Sequence, residues 1–146
     1  MPTCWDESTR RALIVRVRQL SPDSERRWGR MSAPEMLAHV TDACRMALGE
    51  IAARPKTSPL RYFPLRELVV YVLPFPKGVP TAPELLGRTA VDWSAEVVAL
   101  EQALDRLVAQ SRSTFPEHPV FGNMSTRAWG VLTYRHIDHH LRQFGV

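Results

Sequence analysis

The sequence predicts an all-α protein, a four-helix bundle with a long proline-rich crossover between its second and third helices. Four segments repeat apolar residues at the three- and four-residue spacing of an amphipathic helix. Seven of the twelve prolines fall between Pro55 and Pro83, which excludes a long helix from that stretch. At 146 residues the chain is long enough to bury a core without disulfides, and we predict a single domain over residues 1–146.

The first two predicted helices occupy the N-terminal third of the chain. The first runs from about Asp6 to Leu20. The second begins with a capping signature, in which Ser32 is the N-cap, Pro34 lies in the first turn and Glu35 follows three residues after the cap. Its predicted apolar stripe consists of Met36, Val40, Ala43, Ala47 and Ile51.

The other two long helices lie after the crossover. The third begins near Asp92 and carries apolar residues at helical spacing from Trp93 to Leu107, and the fourth runs from just after Ser125 to about Phe144. Within the crossover, the segment LRELVVYVL (residues 65–73) is predicted as a short helix, although its β-branched residues are also compatible with a strand.

The hydrophobic pattern and the cysteine count indicate where in the cell the protein is expected. No stretch approaches the roughly 20 apolar residues that a membrane span needs, and the N-terminus lacks the apolar core of a secretory signal. Cys4 and Cys44 are too few for a disulfide framework, and Cys44 falls on the core side of its helix, where we interpret it as a small hydrophobe. We therefore expect a cytoplasmic protein with no membrane partner.

The net charge of +4 and the pI of about 9.6 raise the question of nucleic-acid binding. Acidic residues are mixed with the arginines along the whole chain, and no basic block or known nucleic-acid motif is present. An evenly solvated, arginine-rich surface is the better interpretation, so we expect no nucleic-acid partner.

Three of the five histidines fall within TYRHIDHHLRQF, residues 133–144. At about 100° per residue, His136 and His140 lie about 40° apart on the apolar face of the fourth helix, whereas His139 lies at its rim. Two imidazoles at this spacing converge on one metal ion. The alternative is a pair of core histidines hydrogen-bonded to the backbone or to Thr133.

A third histidine on another helix completes a predicted metal site. His39 lies two turns after the start of the second helix, and His140 lies about one turn before the end of the fourth, so antiparallel helices would place them at one level. We therefore predict His39, His136 and His140 as metal ligands. Glu35 and Asp42 flank His39 and either orient its ring or face solvent.

Two further residues near these histidines have weaker predicted roles. Gln143 shares the face of His140 and either hydrogen-bonds a bound ligand or caps a buried edge. His118 lies in a proline-bounded loop and is interpreted as structural.

The histidine pattern resembles the DinB superfamily, the DinB/YfiT-like metal-binding four-helix bundles. The resemblance rests on MLAHV, which contains His39, and on HIDHHLRQ, which matches an HxxxHxxQ form with His136, His140 and Gln143 in register. It implies a DinB-like bundle in which the three histidines bind a divalent metal, commonly zinc or nickel, with open positions for water. It also implies that a homodimer is compatible with the fold.

The expected function follows from an open three-histidine site. Such a site predicts a metal-dependent enzyme with thiol-dependent S-transferase-type or hydrolase chemistry, acting on a small molecule or using a low-molecular-weight thiol. The alternative is a bundle that binds a metal or a ligand without catalysis, or that uses the metal for stability. The sequence contains no HExxH, P-loop, GxSxG or GxGxxG motif.

Overall fold

A computed structural model describes residues 1–75, 77 and 81–146, and within them the fold is helical without a β-strand. This confirms the predicted all-α class. None of the helices in those ranges has the length and apolar character needed to cross a bilayer. The helices are α1 (Glu7–Arg18), α2 (Ala33–Ala47), α3 (Leu65–Glu67), α4 (Trp93–Gln110) and α5 (Thr126–Gln143).

Side-chain caps fix the starts of the three longest helices. The Ser32 hydroxyl accepts the backbone N–H of Glu35, and the Glu35 carboxylate accepts the backbone N–H of Ser32 at 2.7 Å, which confirms the predicted capping box. Asp92 and Ser125 each accept the backbone N–H three residues further on. These caps satisfy donors that have no partner within the helix, so α4 and α5 begin where the sequence predicts.

The end of the second helix was predicted too late. The stripe was expected to reach Ile51, but α2 ends at Ala47, with Leu48 as its C-cap. Gly49 has φ +80°, the left-handed conformation that favours glycine and ends a helix. Ile51 still packs against the core, but from the segment that follows the helix.

The four long helices share one apolar interior. α2 packs against α4 and α5, and α1 packs against the same two helices. The leucine side chains at the centre are at most 1% exposed, and burial of each stabilises the fold by about 1.5–3 kcal/mol. The largest of the buried side chains are Leu13, Met36, Leu37, Leu100, Leu104, Leu107, Ile137 and Leu141.

The crossover contains the predicted short helix. α3 continues directly into a π-helical turn over Leu68–Val72, so residues 65–72 are helical rather than a strand, and Leu73 has extended backbone angles. Arg135 of α5 donates to the backbone carbonyls of Val69, Val70 and Leu73, which have no partner within so short a helix. The crossover is thereby attached to the helix that carries the histidine pair. Residues 76 and 78–80 of the predicted crossover lie outside the described residues.

Candidate metal centre

The three predicted ligands meet in the interior. His39 comes from α2, His136 and His140 come from α5, and one ring nitrogen of each lies within 4.8 Å of the others. The Nε2 atoms of His39 and His136 are 3.0 Å apart. His39 is buried, and the other two side chains are partly buried. His39 and His140 therefore do lie at the same level along their helices, as the sequence predicts.

A backbone carbonyl sets the tautomer of His39. Its Nδ1 lies 3.2 Å from the carbonyl oxygen of Leu85, at the end of the 3-10 turn Pro83–Leu85. A carbonyl oxygen only accepts, so Nδ1 carries the proton and Nε2 keeps its lone pair on the side of His136. Such an outer partner is the usual companion of a metal-binding histidine.

The suggestion that Glu35 or Asp42 orients the His39 ring is wrong. The Glu35 carboxylate caps its own helix at Ser32. Glu35 is exposed, as the alternative expected, whereas Asp42 is buried and pairs with Arg88.

Gln143 sets the tautomer of His140 in the same way. Its side-chain nitrogen donates to the Trp28 carbonyl at 2.9 Å, and its side-chain oxygen lies 3.0 Å from Nδ1 of His140. Because the Trp28 carbonyl can only accept, the amide must turn its oxygen to His140, whose Nδ1 then carries the proton. Gln143 is 3% exposed and therefore positions His140 rather than facing a bound ligand.

Gly29 makes room for this amide. Its φ is +84°, and a Cβ at this position would lie 2.2 Å from the Gln143 side-chain nitrogen. Both the backbone conformation and the close approach require glycine. The Trp28–Gly29 turn is thus fitted to the end of α5.

Burial keeps the histidine cluster neutral at pH 7. It lowers the pKa of His39, lowers that of His140 to about 3, and holds that of His136 well below its ordinary value. The neighbouring His140 ring adds to the depression at His136. Neutral imidazole is the form that binds metal ions, so the cluster presents nitrogen lone pairs without prior loss of protons.

His139 lies outside the cluster, in agreement with its predicted rim position. Its ring packs edge-on to Trp28 with centroids 4.8 Å apart and lies 5.7 Å from the ring of Phe75. The ammonium of Lys77 lies 4.9 Å above the Trp28 ring. His139 therefore joins α5 to the α1–α2 loop and to the end of the crossover.

Two other residues have the structural surroundings predicted for them. The Nδ1 atom of His118 accepts the backbone N–H groups of Val120 and Phe121, each at 3.1 Å, and burial lowers its pKa to about 4. Cys44 is 2% exposed, and burial raises the pKa of its thiol. A neutral, enclosed thiol packs as a small hydrophobe.

Sequence reasoning missed Trp28 and Leu85, whose carbonyls bond Gln143 and His39, and it also missed Arg88, which pairs with the buried Asp42. The first two act through backbone carbonyls, which any residue type supplies, so no sequence signal marks them. Arg88 had a weak signal, since it is a lone arginine in a segment rich in proline and apolar residues.

The fold and the site together define an all-α protein with an interior cluster of three neutral histidines, of which His39 is buried and the other two are partly buried. The family described as "Protein of unknown function (DUF1569)" matches residues 72–145, about half of the chain, and the chain belongs to this family. The matched segment includes Leu85, Arg88, His136, His140 and Gln143, whereas His39 lies before it. No curated protein and no solved structure matches the chain.

Proposed function

We propose that His39, His136 and His140 bind one divalent metal ion, zinc or nickel, and that the protein is a metal-dependent enzyme. The observation that carries the proposal is the convergence of three neutral imidazoles, two of which already have their outer nitrogen engaged. His39 donates from Nδ1 to a carbonyl and His140 donates from Nδ1 to Gln143. Both rings are thereby left with Nε2 as the available metal donor.

The distance between the Nε2 atoms of His39 and His136 supports a shared ion. An ion about 2.1 Å from each of two imidazole nitrogens holds them about 3.0–3.4 Å apart, depending on the angle at the metal. The 3.0 Å between the Nε2 atoms of His39 and His136 lies at the lower end of that range. No carboxylate or thiol joins the three histidines among the described residues. A three-ligand site keeps open positions for water or substrate, which is the pattern of catalytic zinc.

The proposed chemistry is hydrolysis or thiol-dependent S-transfer. A divalent ion held by three neutral ligands keeps its full charge, lowers the pKa of bound water to about 7 and favours the thiolate form of a bound thiol. A cavity of about 230 Å³ opens beside His39, with Arg30, Met31 and Leu86 in its walls. Its volume lies below the roughly 300–1,000 Å³ of ordinary ligand sites, so a substrate or thiol bound there would be a small molecule.

The four long helices form a bundle of the DinB type in this proposal. Each of α1, α2, α4 and α5 packs against two of the others, which supports a four-helix bundle of the DinB type. Two buried, unpaired cysteines support a reducing, cytoplasmic location. A homodimer is proposed on the resemblance alone.

A second candidate is a non-catalytic bundle that binds a metal or another ligand, or that uses the histidines for structure. The observation in its favour is that 3.0 Å between the Nε2 atoms of His39 and His136 is also a hydrogen-bonding distance. In that state the His136 ring would donate to His39 and no ion would be required.

Elemental analysis tests the proposal. Untagged protein should contain about one zinc or nickel ion per chain. The ion should be lost in His136→Ala and His140→Ala and retained in His139→Ala, which is the matched control because it lies one position from His140 but outside the cluster. Absence of metal after reconstitution with zinc and with nickel would contradict the site, and equal loss in His139→Ala would mean that the wrong pair was assigned.

Activity screens separate the two candidates. Zinc-loaded protein is assayed for hydrolysis of activated esters and amides and for transfer of small thiols to electrophiles, beside His136→Ala. Turnover that disappears in the variant supports the enzyme. Stoichiometric metal with no turnover in either screen supports the non-catalytic candidate.

A further inference from the structure

Arg88 forms the densest ion-pair network among the described residues. It lies in the segment between the 3-10 turn Pro83–Leu85 and α4. Its guanidinium donates to both oxygens of Asp42, at 2.8 and 3.1 Å, and to both oxygens of Glu96, at 2.6 and 2.7 Å. Asp42 is on α2 and Glu96 is on α4, so one side chain ties the segment to both helices. We call these two bidentate pairs on one guanidinium a double fork, and its directional hydrogen bonds fix the position of the arginine in addition to neutralising charge.

The two carboxylates make this arginine difficult to replace. The side chains of Asp42 and Glu96 are 7% and 10% exposed. Apart from Arg88, only Arg45 pairs with Asp42, at 3.5 Å, among the described residues. Loss of the guanidinium would leave two largely buried anions facing each other, which is strongly unfavourable.

The same segment supplies the acceptor for His39. The Leu85 carbonyl that accepts the proton of His39 Nδ1 lies three residues before Arg88. Two residues after Arg88, the backbone N–H of Ala90 donates to the Pro34 carbonyl at 3.2 Å. Asp42 lies one turn after His39 on α2. The Leu85 carbonyl therefore lies on the short segment and the His39 ring lies on α2, and Arg88 joins the segment to the helix.

We infer that Arg88 is a positioning residue for the metal centre: by holding the 83–90 segment on α2 it fixes the Leu85 carbonyl, and with it the tautomer and direction of the His39 ring. The inference rests on the proposed function. Among the described residues, Arg88 donates to Asp42, Glu96 and the Ala38 carbonyl, and it makes no hydrogen bond to His136 or His140. Its effect on the site passes through the Leu85 carbonyl.

The test compares Arg88→Met and Arg88→Lys with Arg18→Met. Arg18 pairs with Glu101 on the surface at 2.9 Å and links two helices away from the histidines, so it controls for the loss of an interhelix ion pair. Arg88→Lys keeps the charge beside the carboxylates and preserves folding, but it cannot form the double fork. Two readouts are taken at pH 7.5, namely the ¹H–¹⁵N spectrum of the metal-free histidine rings, assigned with His39→Gln, and zinc affinity by chelator competition.

The unmodified protein and Arg18→Met should show His39 in the single Nδ1–H form. Arg88→Met should show mixed tautomers and zinc affinity about 10–100-fold weaker, and Arg88→Lys should show the same changes to a smaller degree. A retained Nδ1–H form in both Arg88 variants would overturn the inference. Failure of the unmodified protein to bind either zinc or nickel would instead overturn the proposed function, and the metal-free spectra would still decide the role of Arg88.

Discussion

Replacement of Gln143 by leucine should destabilise the fold and weaken metal binding together. The amide is 3% exposed, donates to the Trp28 carbonyl at 2.9 Å and accepts from His140 at 3.0 Å. Leucine leaves that carbonyl and the Nδ1–H group of His140 without partners. Each unpaired buried group costs about 1–3 kcal/mol, and new apolar contacts offset part of this, so we expect the free energy of unfolding to fall by about 2–4 kcal/mol. The loss of an outer partner should weaken zinc binding about 10–100-fold.

Urea denaturation in EDTA at pH 7.5 measures the first effect, and chelator competition measures the second. Gln102→Leu makes the same change on the exposed face of α4 and should shift stability by no more than about 0.5 kcal/mol. Gln143→Glu separates the two bonds, because it keeps an acceptor for His140 but places an oxygen against the Trp28 carbonyl. A loss below about 1 kcal/mol in Gln143→Leu, with unchanged zinc affinity, would refute the reasoning.

Two further predictions concern the same corner of the fold. Gly29→Ala should cost more stability than Gly49→Ala, since both residues have positive φ but only at Gly29 would the Cβ meet another side chain, the amide of Gln143. The backbone strain common to both variants is about 1–2 kcal/mol. Urea denaturation should show the additional loss in Gly29→Ala. Equal losses would mean that the contact has no energetic effect. The metal-free protein should lose stability as pH falls. The folded-state pKa of His140, about 3, lies below its unfolded value near 6.5, so below about pH 6.5 the unfolded chain binds more protons than the folded one. This difference at His140 should lower the free energy of unfolding by about 2 kcal/mol between pH 7 and 5. His140→Gln should remove that share of the pH dependence, and an unchanged pH profile would contradict a neutral buried His140.

Local signals predicted the framework of the fold. Caps at Ser32, Asp92 and Ser125 act over three residues, so the sequence reveals them directly. The three-histidine cluster was predictable because α5 places His136 and His140 on one face and because the axial level of His39 follows from residue counting.

The supporting contacts could not be predicted, since they join distant segments. Arg88 meets Asp42 across 46 positions, and Gln143 meets Trp28 across 115. Neither contact has a periodicity or a motif. The extent of α2 was misjudged for a different reason: the apolar pattern continues to Ile51, but the left-handed Gly49 ends the helix first.

Crystals grown with zinc and measured at the zinc absorption edge would test the central claim most directly. One anomalous peak is expected about 2.0–2.1 Å from a nitrogen of each of His39, His136 and His140. The Nδ1 atoms of His39 and His140 should remain bonded to the Leu85 carbonyl and to Gln143. A peak on His139, or no peak and a direct hydrogen bond between His39 and His136 in saturating zinc, would contradict that claim.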